Sequence, residues 1–107
     1  MTDVMMVIST FPDIETARQI GTVLIERQLA ACVNLVLGVE SIYRWQGAVE
    51  RSEEVLAIFK TRGDLAGDLE GVLQELHPYD VPEIIRIWPG SVSIPYAKWV
   101  MEEVRTQ

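Results

Sequence analysis

Residues 32–61, CVNLVLGVESIYRWQGAVERSEEVLAIFKT, decide the fold of this chain. Cys32–Leu37 and Ser41–Trp45 read as extended structure interrupted at Gly38, where a bulge or bend is expected. Gln46-Gly47 supplies a turn, and Val49–Thr61 returns as a second extended run. Each arm would span about 40 Å or more at roughly 3.4 Å per residue. Val55-Leu56-Ala57-Ile58-Phe59 is apolar at both alternating positions, so both faces of the sheet are expected to be buried.

Upstream, Val4–Ser9 has the length of a strand and ends at the breaker Pro12. Asp13 offers an N-cap, with Glu15 in the first turn where the helix dipole favours acid. Ala17, Ile20, Gly21, Leu24 and Ile25 then form one face of a helix reaching about Gln28. That helix covers only about 24 Å at 1.5 Å per residue, so the hairpin overhangs it.

Downstream, Gly63-Asp64 breaks the strand and caps a second helix. Leu65, Leu69, Val72, Leu73 and Leu76 carry the helical period, and His77-Pro78 ends it. Glu83–Trp88 reads as a fourth strand. Pro95 suits a first helical turn, and Tyr96, Trp99, Val100 and Val104 mark the buried stripe of a terminal helix. The order is β-α-β-β-α-β plus a C-terminal helix, an α+β chain of the split-βαβ, ferredoxin-like kind in one domain, residues 1–107. Helices in this architecture cover one sheet face, and the other requires a neighbouring subunit.

Composition agrees. In 107 residues, 49% are hydrophobic, with three Trp and three Tyr, and mean hydropathy is +0.16. A small monomer has too little interior for that much apolar surface, and a subunit interface takes the surplus. Nine Lys and Arg against sixteen Asp and Glu give a net charge of -7. That balance opposes nucleic acid, whose binding draws on neutralised phosphates. It suits a cation, or simply solubility. Cys32 is the only cysteine, so no intrachain disulfide forms and a reducing compartment is expected. The opening MTDVMMVIST has Asp3, no basic n-region and a short apolar run, which reads as neither signal peptide nor membrane span. A cytoplasmic protein is expected.

Few residue types here carry chemistry. His77 is the single histidine; a transition-metal site wants three or four N, S or O ligands, and Cys32 is the only other soft donor. The alternative role for His77 is to end a helix, meeting its last carbonyls. Tyr79 and Glu83 sit in a connection stiffened by Pro78 and Pro82, which either orients them or is only a rigid turn. Glu50, Glu53 and Glu54 make an acidic stretch, a weak hard-cation site or a solvated strand end. Glu54 shares a strand parity with Lys60, and burial of either would require a partner, across a subunit boundary if need be. Tyr43 and Trp45, near the hairpin tip, lie far from the chain's own helices and read as interface anchors. Cys32 reads as a small buried residue. There is no Gly-rich phosphate loop, Ser–His–acid pattern, metal-hydrolase spacing, CxxC motif or basic RNP signature. An intersubunit enzyme using His77 as general acid/base with Lys60, Glu83 or Tyr79 is the alternative to a binding protein.

The segments AACVN and GVESIYRWQGAVERSEEVLAIFKT, followed by HPYDVPEI and then YAKWV, resemble the CutA divalent-cation-tolerance family over nearly the whole chain. HPYxxPE and YxWxG are its more specific motifs. The resemblance implies a long hairpin packed into a homotrimer like that of the nitrogen-regulatory PII signalling proteins, with an effector cleft between subunits. Cys32, Tyr43, Trp45, Glu54, Lys60, Tyr79, Glu83 and Trp99 are the expected cleft and interface residues. It also implies a non-enzymatic, cytoplasmic binding or signalling role in tolerance of copper and other divalent ions, with no nucleic-acid or membrane partner. The chain departs from the pattern at Leu37, where relatives often have Pro. Ser9 and Leu76 stand where some copper-linked relatives have a Cys and a second His. Copper is therefore expected to bind weakly, centred on His77 with nearby carboxylates.

Overall fold

The hairpin closes on two residues. Trp45 pairs with Ala48 across Gln46-Gly47, whose φ angles of 50° and 84° are both positive. That is the combination of a tight turn whose twist matches its strands. The computed structural model describes residues 3–106. It comprises β1 (Val4–Phe11), α1 (Ile14–Glu26), β2 (Cys32–Trp45), β3 (Ala48–Arg62), α2 (Ala66–Leu76), β4 (Ile85–Ile87) and α3 (Ile94–Glu103). The four strands pair antiparallel in the order β2-β3-β1-β4, the ferredoxin-like arrangement.

A bulge interrupts β2 where the sequence placed one. Val36 faces Leu56 and Val39 faces Glu54, so Leu37 and Gly38 together oppose one residue, with Gly38 at φ 77°. One extra residue reverses which side chains point up. Before the bulge Cys32, Asn34 and Val36 share a face with Lys60, Ile58 and Leu56. After it Val39, Ser41, Tyr43 and Trp45 join that same face, beside Glu54 and Ser52.

The opposite face carries the core. Met5, Val7, Phe11, Ala57 and Phe59 are fully buried with Leu24 of α1 and Leu65, Leu69 and Leu73 at and within α2. Asp13 caps α1 as expected, its carboxylate accepting from the Thr16 amide at 2.8 Å. That bond holds the Asp13 carboxyl below its ordinary value. The helix stops at Glu26, two residues short of Gln28, which takes the left-handed φ of 58°.

Other boundaries differ from expectation. Gly63-Asp64 does not cap α2. Gly63–Leu65 forms a 3-10 turn, Leu65 holds the cap position without a side-chain bond, and Asp64 engages Arg62 instead. The fourth strand is three residues long because pairing with β1 extends only over Met6–Ile8. Val100 of α3 and its C-cap Val104 are buried, but Tyr96 and Trp99 are not part of the buried stripe. Tyr96 instead reaches Cys32, with Oη 3.3 Å from Sγ, and stacks obliquely on Trp99.

The expected burial of Val55–Phe59 holds on the helix side only. Leu56 and Ile58 on the other side are half-covered, as are Met6 and Ile8 next to them, while Val36, Ile85 and Ile87 are exposed. The overhang makes the molecule 45 Å long against 26 and 21 Å in the other directions. Its surface is 6573 Å², above the roughly 6,000 Å² typical of a globular chain of this mass.

Candidate functional site

The overhanging hairpin and the α2–β4 connection enclose a cleft of about 830 Å³. From the hairpin come Ser41, Ile42, Tyr43, Trp45, Ser52 and Glu54; from β1 comes Thr10; from the connection come Pro78, Tyr79, Asp80, Val81 and Glu83. The bulge at Gly38 puts Tyr43 and Trp45 there. Without it they would project from the other side of the sheet.

His77 hinges the connection. It takes the C-cap of α2 in extended conformation, its amide still bonded to Leu73 O, and its ring lies flat on Phe11 with centroids 4.6 Å apart. Nε2 bonds Thr10 O at 2.8 Å, and Nδ1 accepts the Tyr79 amide at 3.1 Å. A carbonyl only accepts, so Nε2 carries the proton and the ring is neutral. Burial pushes the imidazole below its usual value, against smaller opposing effects of the Thr10 carbonyl and the Glu54 charge.

Fixed in this way, Tyr79 turns its hydroxyl to Glu54 and donates to Oε2 at 2.8 Å. Burial and the carboxylate hold the phenol well above its ordinary range. Glu54 itself is buried. Tyr43 Oη and Ser52 Oγ lie 2.8 Å apart farther along the hairpin.

Of the residues picked out in the sequence, the fold brings five together: Tyr43, Trp45, Glu54, Tyr79 and Glu83. His77 stands behind them as a support. Cys32 and Lys60 pair with each other at the far end of the sheet, level with Met6. That is four positions of β1 from Thr10, roughly 14 Å at 3.4 Å per residue. Lys60 bonds Asn34, and Trp99 lies at the same end through Tyr96. Burial and the Cys32 contact raise the Tyr96 phenol to about 12. Thr10, Ser52 and Asp80 were not singled out. Asp80 lay within HPYDVPE, whereas Ser52 becomes visible only through its register with Ser41.

A metal centred on His77 finds no donor set here. Its Nδ1 lone pair is engaged by the Tyr79 amide and Nε2 carries hydrogen, so ligation would first break one of these bonds. Among the described residues no three of His, Cys, Asp and Glu are grouped to hold a cation. No helix of the described residues is long and apolar enough to cross a membrane.

The family profile described as CutA1 divalent ion tolerance protein matches residues 5–103. The divalent-cation tolerance protein CutA of Pyrococcus horikoshii is 45% identical over 94% of this chain and 97% of its own. A chloroplastic protein CutA of Arabidopsis thaliana is 38% identical over 90% of this chain, which spans 53% of that longer protein. The crystal structure of CutA1 from Ehrlichia chaffeensis superposes with a TM-score of 0.94 at 31% identity, covering 99% of both chains. A protein of Archaeoglobus fulgidus described as periplasmic CutA gives 0.91 at 29%, over 95% of this chain and 99% of its own.

Proposed function

This chain belongs to the CutA1 divalent ion tolerance family, and from that premise we propose that it is a non-enzymatic homotrimer. Its role in tolerance of divalent ions, copper among them, is exerted through an effector cleft between subunits. One observation carries this reading. Beyond Cys32, which Tyr96 of α3 contacts, the face of the sheet away from α1 and α2 presents the half-covered Met6, Ile8, Leu56 and Ile58 and the exposed Val36, Ile85 and Ile87, and it runs into the cleft at Glu54. A contiguous apolar surface of this kind belongs inside an assembly. The overhanging hairpin gives each subunit an arm long enough to embrace the next.

In the trimer, Cys32, Lys60 and Trp99 line the interface, and Tyr43, Trp45, Glu54, Tyr79 and Glu83 line the cleft. The compartment is the cytoplasm, where the single thiol of Cys32 stays reduced. The partners are other copies of the chain and a small effector, not nucleic acid or membrane. The binding reading is favoured over an intersubunit enzyme because His77, its general acid/base, is held at both nitrogens by Thr10 O and the Tyr79 amide. Light scattering on a sizing column tests the assembly. Three copies of the 12.1 kDa chain are expected at micromolar concentration, and a clean monomer would refute the reading.

A further inference from the structure

Three carboxylates, Glu54, Asp80 and Glu83, line the cleft, and no Lys, Arg or His joins them there. Glu54 is the informative one. It is 9% exposed, yet its one hydrogen bond comes from a neutral donor, the Tyr79 hydroxyl on Oε2. Among the described residues Oε1 has no partner and neither oxygen has a cation within ion-pair distance. Oε1 is not sealed from solvent, since the only fully buried unpartnered side-chain oxygen or nitrogen among the described residues is Ser9 Oγ. A largely buried carboxylate open to the cleft and lacking a counter-charge is suited to a cation entering from there.

The rest of the lining says which kind. Tyr43 and Trp45 stand on the same face of the sheet as Glu54, with 43% and 47% of their surface exposed. Ammonium and guanidinium groups are drawn to aromatic rings, Trp above all. A bare divalent metal needs several converging oxygens, which the described residues do not group. A space of about 830 Å³ also falls within the range of small-molecule sites, about 300–1,000 Å³.

We propose that the cleft binds a small organic cation, its ammonium or guanidinium head on Glu54 and its hydrocarbon body against Trp45 and Tyr43. Asp80 and Glu83 add to the attraction at the cleft wall. Tyr79 holds the carboxylate in place, and the proline-braced connection keeps Tyr79 there. The inference rests on the reading of this cleft as the effector site.

The test is calorimetric titration of the full chain, in its native assembly, with butylguanidine, butylamine and uncharged butylurea. The two cations are expected to bind and butylurea is not. Glu54→Gln and Trp45→Leu should each weaken the better cation by about tenfold, the equivalent of 1.4 kcal/mol. Light scattering on every sample separates the outcomes. An intact trimer that ignores both cations at about 10 mM, well above the 1 mM that corresponds to very weak binding, overturns the proposal and leaves the assembly standing. That result includes the case in which a basic side chain of a second copy already fills the cleft. A monomer that binds them overturns the trimer and keeps the ligand class. Equal binding of butylurea also overturns the proposal, and this comparison decides the matter even if Glu54→Gln fails to fold.

Discussion

His77 binds two structural elements by one neutral ring, and its protonation is the residue-scale event with the largest consequence. A charged imidazole has no lone pair for the Tyr79 amide and must be desolvated against the rings of Phe11 and Tyr79. Burial lowers its folded pKa below the usual 6.5, so the unfolded chain takes up the proton first. Stability from this group is therefore present above about pH 6.5 and lost as pH falls toward the folded value. The melting temperature of the wild type should drop more steeply between pH 7 and pH 5 than that of His77→Gln. Parallel curves would show that the ring's protonation is not linked to folding. The same geometry limits copper. Calorimetric titration with Cu²⁺ should give a Kd no tighter than about 1 μM, because even this most strongly held ion needs several donors. Nanomolar affinity would mean that a second subunit completes a donor set that one chain lacks.

At the scale of elements, the bulge governs the site. Gly38 occupies the left-handed region, and a Cβ added there would meet no atom within 4 Å. The effect of Gly38→Ala is thus conformational, about 1–2 kcal/mol for an L-residue forced left-handed. For a domain of this size that lowers the melting temperature by roughly 4–8 °C per kcal/mol. An unchanged melting temperature would show that the strand re-registers without penalty. Turn, bulge and N-cap were legible because each depends on one or two residues: Gln46-Gly47, Gly38, Asp13. The cleft was not. Its central bond joins Tyr79 to Glu54 across 25 positions, and the face on which Tyr43 and Trp45 project depends on where the bulge falls in the register. Parity of the sequence alone cannot count through an inserted residue. The terminal helix failed for a related reason: Tyr96 and Trp99 have the period of a core stripe, but only Val100 and Val104 meet the core.

For the whole molecule, the hairpin's outer half has a second consequence. β1 ends where Phe11 meets Val55, so Ala48–Glu54 of β3 has a neighbour on one side only, and all of β2 is an edge. Unpaired strand edges are templates for indiscriminate association. Along these edges Glu40, Arg44, Glu50, Arg51 and Glu53 intersperse charge among Val39, Ile42 and Val49. Charge of both signs on an open edge discourages another strand from zipping onto it at random. The chain thus carries its own safeguard against association along these open edges. The residues that grant it are acids and bases with no necessary part in the finished cleft.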